Sequence, residues 1–467
     1  MNTNLLNAAA DIVGRDNILT GEVAYAYCVD WRGRYQGDAL AVMLPDNTQQ
    51  VSDIVKLCRV NNVAIVPQGG NTSLCGASVP LADGSAQVII SLSRMDRILG
   101  VDAVDYTMTV EAGCRLATVY QAAESVNRLF PLGLTAIAPH CEIGGNLSTN
   151  AGGIGVLRYG SARDLVLGLE VVLPDGRIWN GLRGLRKDNT GYDLKQLFIG
   201  AEGTLGIITA AVLKLFPRPQ STATACIAVR DPATAVALLA HLRSACGDRI
   251  SSFEIISRSC LELVFRHIPD TQEPFSAKHA WIVLTHLSDV LQTPLDSGLR
   301  SALQDFGADI LEFEVTADKP RTESWWKLRK NISEAQKREG FSIKHDIAVP
   351  VSRVAEFIAR ADSALRAAFR DVRIVAFGHM GDGNLHYNAS MPDPKQNMHF
   401  IGQSDQVNHI VYGIVQDLKG SISAEHGLGQ LKRDEITRYK SALELELMRS
   451  IKYTLDPYNL MNPGKVV

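Results

Sequence analysis

The chain has 467 residues, of which 46% are hydrophobic and 21% are charged, and its formal net charge is −3. This balance is ordinary for a globular protein of two or three domains, and it argues against a nucleic-acid-binding protein. The sequence contains no apolar stretch of about eighteen residues, so we expect no transmembrane segment. The eight cysteines include no Cys-x-x-Cys pair, and the first residues lack signal-peptide character. Both features predict reduced thiols in a cytoplasmic protein.

The first half of the chain alternates predicted strands and helices. Apolar runs predict strands at residues 38–45, 62–67, 87–92, 106–111 and 205–216. Helical spacing predicts helices at residues 49–61 and 117–126, and a Pro-Asp-Gly turn predicts a hairpin over residues 164–179. The proline pair Pro217 and Pro219 marks a boundary. We therefore predict a first domain over residues 1–218.

The second half of the chain has longer helices. Strands are predicted at residues 280–286, 309–315, 342–350 and 372–377, and helices at 232–246, 321–339 and 351–369. This order predicts an α+β domain over residues 219–402, with helices on one face of a mostly antiparallel sheet. Residues 403–467 are predicted to form a helical segment that is interrupted by a loop around Glu425.

Three segments of the first half are rich in glycine, at residues 67–76, 143–153 and 200–206. Glycine lets the backbone approach a ligand closely, and successive N–H groups in such turns bind anions. The added Asn, Ser and Thr side chains suit a pyrophosphate. The segments match neither the usual dinucleotide fingerprint nor an ATPase phosphate loop. Ordinary tight turns are the alternative interpretation.

Two histidines, His379 and His386, flank a Gly-Asp-Gly turn, and Glu425 and His426 lie side by side about forty residues later. Two His and one carboxylate form a typical catalytic metal set, and an adjacent His can act as a base. Structural histidines near glycines are the alternative.

The predicted helix over residues 321–339 carries Arg329 and Ser333 four residues apart, and therefore on one face. Lys344 follows at the start of the next predicted strand. A guanidinium, a hydroxyl and an ammonium that converge would bind a carboxylate. The alternative is a solvated charged helix.

The motifs as a set resemble a known family. They are Pro-Gln-Gly-Gly-Asn-Thr at 67–72, Ile-Gly-Gly-Asn-Leu-Ser-Thr-Asn-Ala-Gly-Gly at 143–153, Gly-Ala-Glu-Gly-Thr-Leu-Gly-Ile at 200–207, Gly-His-x-Gly-Asp-Gly-Asn-Leu-His at 378–386, Glu-His-Gly at 425–427 and Asp-Pro-x4-Met-Asn-Pro-Gly-Lys at 456–465. The first 220 or so residues resemble the FAD-binding domain of vanillyl-alcohol oxidase type flavoproteins, and the rest resembles the FAD-linked oxidase C-terminal domain. The D-2-hydroxyglutarate dehydrogenase group is the most similar, with D-lactate dehydrogenases and the glycolate oxidase flavoprotein subunit nearby.

The resemblance implies an α+β fold in which a two-subdomain FAD-binding domain precedes an α+β substrate domain and a helical C-terminal segment. It assigns FAD binding to Pro67, Gln68, Gly69, Gly70, Asn71, Thr72, Ser73, Gly144, Gly145, Ser148, Asn150, Gly152, Gly153 and Ile207. Ile207 is expected to pack near the adenine. No histidine matches a covalent flavin link, so we expect non-covalent FAD.

The resemblance also assigns the chemistry of the second half. His379, His386 and Glu425 match ligands of a divalent metal, with zinc expected, and His426 matches the general base. Arg329, Ser333, Lys344 and Asn388 match substrate contacts. Ser333 stands where relatives carry Thr, and Glu142 stands where close relatives tend to carry His.

The implied reaction is oxidation of D-2-hydroxyglutarate to 2-oxoglutarate. An external acceptor such as an electron-transfer flavoprotein or a quinone would reoxidise the flavin, and a homodimer is left open. D-lactate or D-malate dehydrogenase, a glycolate-oxidase-type subunit, and a non-catalytic flavoprotein subunit that relays electrons are the alternatives.

Overall fold

The computed structural model describes residues 2–134 and 137–467. Within these ranges, none of the helices combines the length and the apolar character that a membrane crossing requires. All eight cysteines are free thiols, and Cys246 is less deeply buried than the other seven.

The secondary structure of the described chain is mixed. Its strands are β1 Ile18–Leu19, β2 Val42–Met43, β3 Ala64–Gln68, β4 Gln87–Ser91, β5 Ile98–Asp102, β6 Thr107–Glu111, β7 Arg128–Leu129, β8 Val166–Val172, β9 Ile178–Gly181, β10 Ile207–Lys214, β11 Phe216–Pro217, β12 Ser221–Val229, β13 Ile250–Ser257, β14 Trp281–Asp289, β15 Ile310–Thr316, β16 Ile343–Ala348, β17 Arg373–Gly378 and β18 Asn384–Ser390. Its α-helices are α1 Asn2–Val13, α2 Glu22–Tyr25, α3 Thr48–Val60, α4 Leu116–Ser125, α5 Ile143–Ser148, α6 Val156–Tyr159, α7 Lys195–Phe198, α8 Pro232–Cys246, α9 Arg258–His267, α10 Leu295–Phe306, α11 Lys319–Lys330, α12 Ile332–Glu339, α13 Val354–Ala368, α14 Asn397–Ile401, α15 Ser404–Asp417, α16 Arg433–Tyr439 and α17 Ala442–Leu455.

The chain divides into two compact units. Unit 1 contains residues 1–152, 160–218 and 425–467, and unit 2 contains residues 153–159 and 219–424. A boundary therefore follows Arg218, and residues 425–467 group with the first part of the chain. The three-part division at residues 218 and 402 stays a prediction.

Unit 1 contains a mixed four-stranded sheet in the order β1-β2-β4-β3, in which β2 and β3 pair in parallel with β4. Helix α3 leads into β3. It begins because the Asn47 side chain accepts a hydrogen bond from the Gln50 N–H, and it buries Val51, Ile54 and Val55. Strand β3 ends where the first glycine-rich loop begins, so the sheet sets the position of that loop.

A second sheet of unit 1 is antiparallel, in the order β5-β6-β10-β8-β9. Its central strand β10 is buried from Ile207 to Leu213, which explains the long apolar run of the sequence. The third glycine-rich loop leads directly into β10.

Unit 2 is built on a seven-stranded antiparallel sheet in the order β15-β12-β14-β13-β17-β18-β16. On one face, Phe377 and Val375 pack with Trp325 and Leu328 of α11. On the other face, Tyr387 packs against Phe357 of α13 and donates a hydrogen bond to Asp362. Helices thus cover both faces, and the prediction of helices on one face was wrong because adjacent strand residues point to opposite sides and both sets are apolar here.

The predicted fold class is confirmed, with local differences. The predicted helix over residues 321–339 is two helices, α11 and α12, which meet at Asn331 with φ −96° and ψ 4°. The predicted strand at residues 38–45 reduces to β2, and the central strands β12 and β13 were not predicted.

Candidate functional site

A cavity of about 240 Å³ lies within unit 1, and the three glycine-rich loops form much of its wall. The wall includes most of the predicted cofactor residues, namely Pro67, Gln68, Gly69, Gly70, Asn71, Thr72, Ser73, Gly144, Gly145, Ser148, Gly152 and Ile207. Asn150 and Gly153 are not among the described residues that line it. The fold of unit 1 therefore brings three motifs that are far apart in sequence around one space.

Several polar side chains of the glycine-rich segments form hydrogen bonds with nearby backbone groups and so stabilise the loop conformations. Asn71 has φ +52°, and its Nδ2 donates to the Val29 carbonyl at 2.8 Å. Asn150 has φ +48°, and its Oδ1 accepts from the Arg163 N–H at 3.0 Å. Gln68 Nε2 donates to two backbone carbonyls. Because these side chains are engaged in the loops, their predicted contacts with a cofactor stay predictions.

The backbone of His140 and Cys141 packs too closely against the first glycine loop for a side chain at Gly70. A Cβ added there would lie 1.9 Å from the carbonyl oxygen of His140, which is a backbone atom that cannot rotate away. The residue type at this position is therefore set by packing as well as by any ligand.

Glu425 and His426 line the same cavity of unit 1. The carboxylate of Glu202, in the third glycine loop, accepts hydrogen bonds from the N–H groups of Leu428 at 2.7 Å and Gly429 at 2.8 Å. Burial raises the pKa of Glu202 to about 6, and these two amide bonds limit the rise. Gly427, between His426 and Leu428, has φ +76°, and a Cβ there would lie 2.7 Å from Glu202 Oε1. Glu202 thus fixes the loop that presents His426 to the cavity.

In unit 2, the turn that carries His379 and Asp382 joins the paired strands β17 and β18. Register places His386 beside Phe377 on one side and Asp346 on the other. The rings of His379 and His386 are 5.8 Å apart, and His386 Nδ1 lies 3.8 Å from Asp346 Oδ1. The sheet therefore adds a buried carboxylate, Asp346, to the predicted pair of histidines.

A buried acid also contacts His379. Glu254 of β13 lies 2.6 Å from His379 Nδ1 through Oε1, and its Oε2 accepts from Arg329 Nε at 2.7 Å. Burial would raise the pKa of Glu254, but His379 and Arg329 outweigh it and hold the pKa at about 2. Metal-binding histidines commonly donate their second ring N–H to a carboxylate, which is the arrangement His379 has with Glu254.

The predicted substrate residues occupy different environments. Lys344 pairs in register with Asn388, whose Nδ2 donates to Gln336 Oε1 at 2.8 Å. Arg329 is buried, whereas Ser333 is exposed and lies on α12 beyond the break at Asn331. The prediction that Arg329 and Ser333 share one helical face was wrong because the helix does not continue through Asn331.

Four acids of these regions were missed: Glu202, Glu254, Asp346 and Asp382. Glu254 lies between Phe253 and Ile255 in β13, and a buried charge between apolar residues must be paired, whereas Asp346 follows Lys344 and His345 in β16 and has no such signal. That rule was the available signal for Glu254. Burial also raises the pKa of Asp382 to about 6, although no metal-ligand pattern included it.

The cavity of unit 1 fits a polar cofactor. Two buried atoms near its wall, Glu142 Oε2 and Asn146 Oδ1, have no hydrogen-bond partner among the described residues. Buried polar atoms normally have partners, so both are suited to meet donors or acceptors of a ligand.

The fold matches those of solved enzyme structures. The chain matches p-cresol methylhydroxylase with a TM-score of 0.77 and 16% identity, covering 99% of this chain and 96% of that one. It matches alkyldihydroxyacetonephosphate synthase with a TM-score of 0.75 and 18% identity, covering 99% and 84%. At these identities the likeness defines the fold, which is of the vanillyl-alcohol oxidase type, as predicted.

Comparison with protein-family models defines the class of protein. Residues 39–181 match the FAD binding domain, and residues 218–466 match the FAD linked oxidases, C-terminal domain. The chain belongs to the FAD-linked oxidase family. It binds FAD and is a dehydrogenase that depends on it.

Curated relatives match 94–100% of the chain. A probable D-2-hydroxyglutarate dehydrogenase, mitochondrial, of Oryza sativa subsp. indica is 37% identical over 100% of this chain and 82% of its own length. A D-2-hydroxyglutarate dehydrogenase of Xanthomonas citri pv. viticola is 36% identical over 94% and 92%. The D-2-hydroxyglutarate–pyruvate transhydrogenase of Saccharomyces cerevisiae is 34% identical over 98% and 92%.

Proposed function

We propose that this FAD-dependent hydroxy-acid dehydrogenase oxidises D-2-hydroxyglutarate to 2-oxoglutarate. The observation that carries the proposal is the presence of His426 in the wall of the cavity that the glycine loops form. The names of the full-length relatives support the substrate.

His426 is proposed to be the general base. It takes the hydroxyl proton of the substrate at a ring nitrogen, and Glu202 keeps it in place through the backbone of Leu428 and Gly429. The glycine-rich segments that line the cavity would hold FAD, and bound FAD would supply the hydride acceptor for the substrate C2. The FAD is proposed to be non-covalent.

His379, His386 and Glu425 are proposed to hold a divalent metal, with zinc expected, and Asp346 is a further candidate ligand. The bond between His379 and Glu254 supports this role, because a carboxylate fixes the tautomer and orientation of a metal-binding imidazole. A metal held by these residues would supply Lewis-acid chemistry, a lower pKa of the substrate hydroxyl, beside the base His426.

The second carboxylate of the substrate is proposed to bind Lys344, Asn388, Arg329 and Ser333. Arg329 Nε already donates to Glu254, but a guanidinium has five N–H donors and can bind a second acid. Each charge-assisted bond to the substrate contributes about 1.5–3 kcal/mol. D-lactate, the alternative substrate, cannot form these bonds, and D-malate is one methylene short.

Reoxidation is proposed to use an external acceptor, either an electron-transfer flavoprotein or a quinone. Cytoplasmic action and a homodimer also belong to the proposal. Several plant and animal relatives are named mitochondrial, so immunodetection in separated cell fractions is the test of location.

An anaerobic panel of hydroxy acids, followed by flavin bleaching, tests the substrate. We expect kcat/KM for D-2-hydroxyglutarate to exceed that for D-lactate by about 10²-fold or more, from one or two charge-assisted bonds. Equal turnover of the two acids would refute the substrate assignment.

A lysine variant tests the substrate contact. Lys344→Met should lower the preference for the diacid by about tenfold or more and leave D-lactate turnover little changed. Lys337→Met, an exposed lysine of α12, is the matched control and should keep the wild-type preference. Arg329→Ala is a less direct test because it also leaves Glu254 unpaired.

A further inference from the structure

Glu142 has a buried carboxyl group that the proposed reaction does not use. It lies in extended backbone immediately before α5, and its side chain makes no capping bond to that helix. The residue is 6% exposed and lines the cavity of unit 1. Its Oε2 has no hydrogen-bond partner among the described residues and lies 3.5 Å from the position a Cβ would take at Gly69. The carboxyl therefore sits beside the first glycine loop, at the start of α5.

The charged groups around Glu142 do not stabilise its ionised form enough to offset its burial. Burial raises its pKa to about 8; Arg115 opposes that rise, and Asp96 adds to it. Arg115 and Asp96 are both exposed, and the neighbouring thiols Cys114 and Cys141 are buried and themselves have raised pKa values. Glu202, Glu425 and His426 are the other titratable groups of the cavity wall. A buried carboxylate without a partner is costly, so the neutral acid is the stable form near pH 7.

We propose that Glu142 binds FAD as a neutral carboxylic acid whose O–H donates a hydrogen bond to the pyrophosphate. The backbone N–H groups of glycine-rich turns bind anions, and the carboxyl lies between the turn at Gly69 and the glycine-rich first turn of α5. A pyrophosphate diester is an anion at every pH near neutrality. A protonated Glu142 adds a donor to this anion site, whereas an ionised Glu142 repels the anion.

FAD affinity should therefore fall as the pH rises. The bound anion favours the protonated acid, so FAD binding becomes weaker once Glu142 ionises in the FAD-free protein. With that ionisation near pH 8, the Kd should rise about tenfold between pH 7 and pH 9. Release of FAD from diluted holoenzyme, followed by flavin fluorescence, measures this slope.

The matched variants are Glu142→Gln, which keeps the shape and cannot ionise, and Glu124→Gln, at an exposed glutamate of α4. Glu142→Gln should bind FAD at pH 7, because its amide donates a hydrogen bond, and its Kd should stay constant from pH 7 to pH 9. Glu124→Gln should keep the wild-type slope. A wild-type Kd that does not change with pH, or equal slopes in wild type and Glu142→Gln, would overturn the proposal. So would a Glu142→Gln protein that has the wild-type circular dichroism spectrum but binds no FAD.

ADP-ribose separates the pyrophosphate from the flavin. It has the same pyrophosphate diester without the isoalloxazine ring, so its competition with FAD should show the same pH dependence in wild type and none in Glu142→Gln. If ADP-ribose binding is independent of pH while FAD binding is not, the assignment to the pyrophosphate is wrong. A calorimetric titration in two buffers should also show uptake of up to one proton per FAD at pH 8.5 by wild type alone.

Discussion

Glu254→Gln should destabilise unit 2 because it removes a buried charge that two other groups need. In the wild type, Glu254 is bonded to Arg329 and to His379, and the side chains of Glu254 and Arg329 are 1% and 9% exposed. A glutamine has one acceptor oxygen, so it cannot accept hydrogen bonds from both Arg329 and His379 equally well. Its NH₂ group would place an additional donor beside one of these two donors. Arg329 then stays buried without a counter-charge.

The size of the effect can be derived in two ways. Breaking a buried ion pair by removal of one partner costs about 3–5 kcal/mol. The pKa of Glu254 is held at about 2, below the 4.5 of a free glutamate, which corresponds to about 3 kcal/mol. Since the folded-state pKa is depressed, this stabilisation is full above about pH 4.5 and is lost as the pH falls toward 2.

Urea unfolding followed by tryptophan emission measures the free energy of unfolding that Glu254→Gln removes. Tryptophan emission reports on this region since the buried Trp325 lies on the same helix as Arg329. The control is Glu334→Gln in the exposed pair with Arg338, where the side chains are 44% and 49% exposed. That change should cost less than about 1 kcal/mol. The double variant Glu254→Leu with Arg329→Met should recover much of the stability. The reasoning would be refuted if Glu254→Gln lowered the free energy of unfolding by less than about 1 kcal/mol. It would also be refuted if the difference in free energy of unfolding between wild type and variant did not shrink below pH 4.5.

Three further outcomes are expected. Dialysis against a strong chelator should abolish flavin reduction by substrate while FAD stays bound; metal-free protein, verified by elemental analysis, that still reduces its flavin would exclude a catalytic metal. His426→Ala should slow flavin reduction in stopped-flow measurements by about 10²-fold or more with unchanged metal content, and a wild-type rate would place the base elsewhere. FAD should be released intact when the protein is denatured by acid, and flavin that precipitates with the chain would demonstrate a covalent link.

Local sequence signals predicted some elements well. Helix α8 was predicted with its observed bounds, because Asp231 caps its N-terminus, a proline occupies its first turn and Gly247 follows its last residue. The interior strands β12 and β13 were missed since both faces of each are buried over most of its length, so no clear period of two marks a core face and an exposed face. The break between α11 and α12 has no proline or glycine, and therefore no local marker.

The candidate site was predictable only as separate motifs. Sequence placed His426 beside Glu425, but the hydrogen bonds to Glu202 join residues that are more than two hundred positions apart. The link from Arg329 through Glu254 to His379 likewise depends on strand order, which no spacing encodes. An isolated acid in an apolar strand signals that a partner exists, and only the fold identifies which partner it is.

Residues 452–462 form contacts that complete unit 1, whose other residues come mainly from the first half of the chain. Met461 pairs with Ile65 beside the first glycine loop, and Lys452 donates to the carbonyl of Thr204. Asn462 donates to the carbonyls of Ala77 and Glu202. During synthesis, the N-terminal residues emerge from the ribosome long before these partners exist. The cavity of unit 1 therefore reaches its final form only after translation has passed residue 462, so a ribosome stalled in unit 2 carries a chain in which that cavity is still incomplete.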